Sequence, residues 1–180
     1  MNKVLVITTS LRAKSNSDRL AEELIRGAKE AGHEVEVVSL KGKNIKFCIG
    51  CLNCQKTQKC VLKDDAIGIA EKMKNADTLV FVTPIYYYEM SGQMKTLLDR
   101  MNPLYPSDYR FRRVYMLSVA AEDEAYTPEK AVSGLQGWID CFEKAELADT
   151  LFCGVINDAG EANGRPAELE EAYEFGKQIR

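Results

Sequence analysis

Histidine and tryptophan occur once each in this chain, and proline only five times in 180 residues. A lone His33 cannot build an imidazole metal site, and its place after the helix-ending Gly32 points to the surface. No run approaches the ~18 apolar residues of a membrane span, and the opening apolar stretch is too short for a signal sequence with its cleavage site. Excess positive charge is also missing. A net charge of −3 argues against nucleic-acid binding, yet it is too mild for a dedicated acidic electron carrier. Repeats, low-complexity tracts and linkers are absent. So are the Walker pattern and Gly-x-Gly-x-x-Gly, which removes a P-loop and a dinucleotide fingerprint. No acid/base pair stands out as needing a catalytic role. These absences leave one cytoplasmic domain over residues 1–180, without membrane or nucleic-acid partners, whose six cysteines are reduced, metal-bound or redox-active rather than disulfide-bonded.

What is present alternates. Strands are expected at Lys3–Thr8, Glu34–Ser39, Asp77–Thr83, Arg113–Val119 and Thr150–Val155. Helical spacing fills Asn16–Ala31, Asp64–Asn75, Glu89–Met101, Pro128–Ala145 and Pro166–Ile179. Five strands separated by helices imply an α/β three-layer sandwich around a parallel sheet, with the ligand at the carboxyl ends of the strands. After the first strand, Thr9–Asp18 gathers hydroxyls, an amide, Arg12 and Lys14 at a helix N-terminus, which suits an anion; capping by Ser15, Asn16 or Ser17 is the simpler reading. After the third strand, Tyr86, Tyr87 and Tyr88 cannot all be core, because neighbouring side chains diverge. They offer a flat surface for a planar ring or a partner subunit, or ordinary packing. After the fourth, Ala120 and Ala121 are small enough for close approach, and Glu122–Glu124 reads as a solvated acidic run.

The cysteine loop, residues 45–63, holds Cys48, Cys51, Cys54 and Cys60. Its two-residue gaps are like the spacing around a cubane iron–sulfur cluster more than the separated knuckles of a zinc ribbon. A zinc site, a Cys51/Cys54 dithiol and an idle loop stay open. Cys141 and Cys153 read as small core residues, Trp138 as core or interface, and Arg110–Arg113 as a solvated strand entry, with steering of a 2′-phosphate as the alternative.

Ser10-Leu11-Arg12-Ala13-Lys14-Ser15-Asn16-Ser17 resembles the phosphate loop of the NAD(P)H-dependent FMN reductases, with Thr9, Leu11 and Ser15 in place of Gly, Pro and Gly. Thr83, Pro84, Tyr86, Ser91, Lys95, Asp99 and Arg100 are in register with the same family's Pro-x-Tyr segment. The four cysteines, with Asp64-Asp65 following, resemble the compact motif of iron–sulfur flavoproteins. The resemblance implies a flavodoxin-like fold with strand order 2-1-3-4-5. It implies FMN held by Ser10, Arg12, Ser15, Asn16, Ser17, Thr83, Pro84, Ile85, Tyr86, Tyr87, Ala120 and Ala121, and a 4Fe-4S cluster on the cysteines. Lys95, Asp99 and Arg100 would stabilise helix and dimer. Chemistry would reside in the flavin, with no catalytic side chain, passing electrons from NAD(P)H or a ferredoxin-like donor to a quinone or other acceptor in a homodimer or homotetramer. A non-catalytic flavin or thiol redox sensor, or a cluster-free electron carrier, is the alternative.

Overall fold

The computed structural model describes all 180 residues. In chain order the elements are β1 (Lys3–Thr8), α1 (Asn16–Glu30), β2 (Glu34–Ser39), α2 (Asn53–Thr57), α3 (Ala66–Asn75), β3 (Thr78–Tyr86), β4 (Glu89–Met90), α4 (Gly92–Asp99), β5 (Arg113–Val119), α5 (Glu129–Ile139), β6 (Glu146–Cys153) and α6 (Pro166–Lys177). Five strands pair in parallel in the order β2-β1-β3-β5-β6, and β4 pairs antiparallel with the end of β3. The expected five-stranded 2-1-3-4-5 order therefore needs correcting to six strands. The parallel path is the expected one, but the two-residue β4 enters the count and shifts the later numbers.

Successive side chains of the central strands point to opposite faces, so each strand feeds two cores. Leu5, Ile7, Leu79, Phe81, Val114 and Met116 pack against α3, α4 and α5. Val4, Val6, Val80, Val82, Tyr115 and Leu117 pack against α1 and α6. The first core carries an aromatic cluster in which Trp138 lies 4.6 Å from Phe142 and 6.1 Å from Phe111, centroid to centroid.

Several boundaries differ from expectation. The helix expected at Glu89–Met101 starts only at Gly92, because Ser91 caps it, accepting from the amide of Met94, and the residues before it turn back to form β4. The helix expected to reach Ala145 stops at Ile139. The Phe142 amide bonds back to the Ile139 carbonyl at 2.7 Å and its ring turns into the aromatic cluster. The last strand begins four residues early, at the polar Glu146, because β5 supplies a pairing partner that no hydrophobic pattern signals. Cys153 is buried as expected, but Cys141 lies beyond the end of α5 and is exposed. The Arg110–Arg113 cluster is consumed by Asp77, by the carbonyls of Tyr109 to Phe111 and by Glu146, at the amino edge of the sheet and away from the ligand edge.

Helices α1 and α6 meet through a glycine pair. A Cβ on Gly27 would overlap the carbonyl of Tyr173, and one on Gly176 would overlap the carbonyl of Leu24. Backbone against backbone leaves nothing that can yield. Gly27→Ala is expected to cost about 1–3 kcal/mol by overpacking despite alanine's better helix propensity. Thermal unfolding should show a fall in Tm of several degrees; an unchanged or raised Tm would contradict the close crossing.

Candidate functional site

The sheet order places β1 and β3 side by side at the centre, with the chain departing to β2 on one side and to β5 on the other. Loops leaving the carboxyl ends of these strands diverge there and open a crevice. A polar seam closes its floor. Thr9 and Ser91 share a 2.9 Å hydroxyl contact, Thr83 donates to Ser91 at 3.3 Å, and the Ser91 amide donates to Thr83 at 3.1 Å. All three residues are fully buried, so the first loop, the end of β3 and the start of α4 are locked together.

A cleft of about 160 Å3 lies above this seam. Of the residues expected to hold a ligand, Ser10, Arg12, Ser15, Asn16, Ser17, Pro84, Ile85, Tyr86, Ala120 and Ala121 all line it. Thr83 is buried beneath it in the seam, and Tyr87 stands 98% exposed on the hairpin tip. Three lining residues were not anticipated: Val119, Ile156 and Asn157. Two of them come from the loop after β6, whose place at the carboxyl end of a strand was the signal that could have found them.

At the anion end, Ser15 caps α1, accepting from the amide of Asp18, and its hydroxyl sits 2.9 Å from that of Ser17. The amides of Asn16 and Ser17 precede the first intrahelical bond and are free to donate to an anion. The remaining donors are partly engaged. Arg12 donates to the Asn157 carbonyl at 2.6 Å, and Asn16 bridges to the same loop, donating to the Asp158 carbonyl and accepting from the Ala162 amide. The Asn16 side chain thus ties two loops together. Buried hydroxyls, unbonded amides and one cation at a helix N-terminus fit a phosphate.

The other end of the cleft is aromatic. Tyr87 and Tyr88 turn the hairpin between β3 and β4 with φ of 51° and 68°. Two successive left-handed residues normally call for Asn-Gly, and each tyrosine held there costs about 1–3 kcal/mol. Tyr88 donates to the Glu122 carboxylate at 3.3 Å, which holds the phenol above its ordinary pKa, and its ring leans on Tyr126. This arrangement leaves Tyr86 half exposed at the cleft and turns Glu122 toward the hairpin.

The cysteine loop leaves the carboxyl end of β2 on the same edge. A second cavity of about 410 Å3 separates it from the first loop, with Leu11 on one side, Leu40, Ile45 and Phe47 on another, and Gln93 and Thr96 of α4 closing it. Cys48 and Cys51 are exposed, Cys60 is half buried and Cys54 is buried. Burial pushes the Cys54 thiol up, and the nearby Cys60, Cys51 and Cys48 add to this. No three acid, thiol or imidazole groups converge on one ion-sized point. The donor set is nevertheless four thiols with N–H donors to sulfur already in place, from Gly50 to Cys48 at 3.5 Å and from Arg100 to Cys60 at 3.3 Å. That chemistry fits a thiolate-held iron–sulfur group.

Beneath the loop lies a buried ion pair. Arg100 donates to both carboxylate oxygens of Asp64, at 2.5 and 2.9 Å, with both side chains essentially inaccessible. Asp64 also accepts from the amides of Lys46 and Ala66. Burial pushes this carboxyl up, but Arg100 and the two amides outweigh it and hold the pKa below the usual value. Of the three residues expected to stabilise helix and dimer, Lys95 and Asp99 form an exposed i,i+4 pair, whereas Arg100 turns inward to the loop.

Because the native pKa of Asp64 is depressed, its contribution to stability is complete above the unfolded carboxylate range, near pH ~4, and is lost as pH falls through the native value. Asp64→Asn strands the guanidinium and should cost about 3–5 kcal/mol at neutral pH, with a shallower loss of stability on acidification than wild type. Urea denaturation at several pH values tests this, and parallel acid limbs would refute it.

Comparison with known proteins bears on this geometry. The family model of the NADPH-dependent FMN reductases matches residues 2–131. An iron–sulfur flavoprotein of Archaeoglobus fulgidus is 32% identical over 98% of this chain and 78% of its own length. Another, from Methanocaldococcus jannaschii, is 39% identical over 57% of this chain and 53% of its own, so the matched stretch spans about half of that relative. Among solved structures, the NAD(P)H:quinone oxidoreductase of Methanothermobacter marburgensis shares the fold with a TM-score of 0.74 at 18% identity, covering 99% of both chains.

Proposed function

The chain belongs to the NADPH-dependent FMN reductase family, and on that premise we propose that it is an FMN-dependent oxidoreductase passing electrons from a reduced donor to a quinone or similar acceptor. The observation that carries this reading is the single cleft joining an anion cradle at the N-terminus of α1 to the Pro84–Tyr86 segment and the small Ala120–Ala121 pair. Bound FMN would supply hydride- and electron-accepting chemistry that no side chain here offers. The protein's share is placement. Ser10, Ser15, Ser17 and the free amides of α1 would hold the phosphate, with Arg12 adding charge from the rim. Pro84, Ile85 and Tyr86 would line the ring, and the two alanines would let it approach the backbone. A cleft of about 160 Å3 is smaller than the ~300–1,000 Å3 of a site that encloses its ligand. This supports a site completed by a second subunit, with the exposed tyrosines of the hairpin as a candidate contact.

The cysteine loop supports a 4Fe-4S cluster over zinc or an idle loop. Four thiols with N–H donors aimed at two of their sulfurs are a setting for thiolate-held iron, and relatives bearing the name iron–sulfur flavoprotein agree. The loop shares an edge with the cleft, as single-electron exchange between the two would require. NAD(P)H and a ferredoxin-like protein are both compatible donors. Catalysis is preferred over a sensor role because the cleft is open and the matching family model is that of a reductase.

Protein purified without oxygen and assayed for flavin, iron and sulfide should contain FMN with stoichiometric iron and sulfide, and a broad absorption beneath the flavin bands. Flavin without iron would leave a plain FMN reductase. A protein that takes up no FMN would sink the proposal. Ser10→Ala/Arg12→Ala should weaken FMN binding at least about tenfold, the loss of one charge-assisted hydrogen bond or more. Wild-type affinity in a flavin-quenching titration would remove the phosphate assignment.

A further inference from the structure

We propose that Arg100 is the positioning residue of the cysteine loop: it closes the loop at its base and donates to Cys60 Sγ, so placing the fourth thiolate and setting how readily a group held there accepts an electron. This rests on the cluster reading above.

The geometry is unusually one-directional. Arg100 follows α4 and is 2% exposed, yet the side-chain hydrogen bonds of its guanidinium run only to the cysteine loop and to Asp64 at the loop's end. One terminal nitrogen donates to Asp64 and to the Lys46 carbonyl at 2.7 Å; the other has two N–H groups for three acceptors, Asp64 at 2.9 Å and, at 3.3 Å each, the Leu62 carbonyl and Cys60 Sγ, so one N–H is shared. Lys46 and Leu62 lie on the two limbs of the loop, so one planar group fastens both. A lysine ammonium has no such fork and cannot span these acceptors together.

The loop has other ties: at its base Asn44 and Asp65 bond to each other through both amides, and the Lys46 amide donates to Asp64. Helix α2 has five residues and no side-chain cap, left-handed residues flank it at Leu52 and Gln58, and Gln58 makes one exposed bond to the Pro106 carbonyl. The side-chain hydrogen bond that reaches Cys60 Sγ itself comes from Arg100. An N–H donor to a ligating sulfur withdraws negative charge from it, and such hydrogen bonds are among the factors that set iron–sulfur potentials. Asp64 balances the guanidinium, so the directional hydrogen bond matters here more than net charge.

The test compares wild type with Arg100→Lys, Asp64→Asn and, as a control outside the loop, Lys95→Ala in the exposed pair on α4. Amide hydrogen exchange is measured on metal-free protein, and the midpoint potential of the iron–sulfur signal on anaerobically loaded protein. In Arg100→Lys, amides from Cys60 to Asp64 should exchange at least tenfold faster while those of β1 and β3 do not change. Its potential should fall by about 59 mV, the one-electron equivalent of tenfold. Asp64→Asn leaves the charge beside Cys60 unneutralised and should move the potential upward, so either variant is informative if the other fails to fold. The control should move neither reading. Unchanged exchange, or faster exchange with potentials that stay put or shift the same way in both variants, overturns the proposal. An iron-free wild type overturns the cluster reading instead, and exchange in Arg100→Lys then decides by itself whether Arg100 positions Cys60.

Discussion

Parallel strands cannot be joined by tight turns, and this constraint organises everything functional in the molecule. Each crossover returns the chain to the amino edge, so the loops leaving β1, β2, β3, β5 and β6 all emerge on the opposite, carboxyl edge. The anion cradle, the cysteine loop, the tyrosine hairpin and the Asn157 loop are neighbours for that reason, although up to 146 residues separate the partners of one hydrogen bond between them. The basic cluster at Arg110–Arg113 sits at the start of β5 and is excluded from the site by the same rule.

Within that edge, two polar assemblies convert proximity into geometry. The Thr9–Thr83–Ser91 seam joins the loops that flank the crevice, and the Arg100–Asp64 fork fastens the cysteine loop. Both are buried, and both would be costly if half made, since a buried donor left without its acceptor keeps its full desolvation penalty. This is how a structure with ordinary apolar cores holds an irregular loop in one place. The tyrosine hairpin works the other way: it carries backbone strain at Tyr87 and Tyr88 that β4 pairing and the Tyr88–Glu122 contact offset.

The layered α/β architecture was legible in the sequence because it depends on local signals. Lys3–Thr8 and Arg113–Val119 are strands with the expected bounds, and α1 ends within one residue of its expected limit, because apolar runs, an N-cap serine and a closing glycine act over a few residues. What was not legible were the elements whose reason lies elsewhere in the chain. Nothing in Glu146–Asp149 reads as strand until β5 is beside it, and nothing in Tyr86–Glu89 reads as a hairpin, since tyrosines replace the expected Asn-Gly.

The site divides in the same way. By itself, the sequence determined which residues stand at the carboxyl ends of strands, and so most of the cleft: Ser10, Arg12, Ser15, Asn16 and Ser17, Pro84 to Tyr86, and Ala120 with Ala121. It also determined that four thiols share one short loop. Only the tertiary structure decided that Arg12 and Asn16 reach across to the loop of Asn157 and Asp158, that Tyr87 points to solvent, and that the Arg100 side chain turns to the cysteine loop rather than along its own helix. The physical reason is reach. Propensity and capping act between residues a few positions apart, whereas a buried charge takes its partner from whatever the fold brings within hydrogen-bond distance.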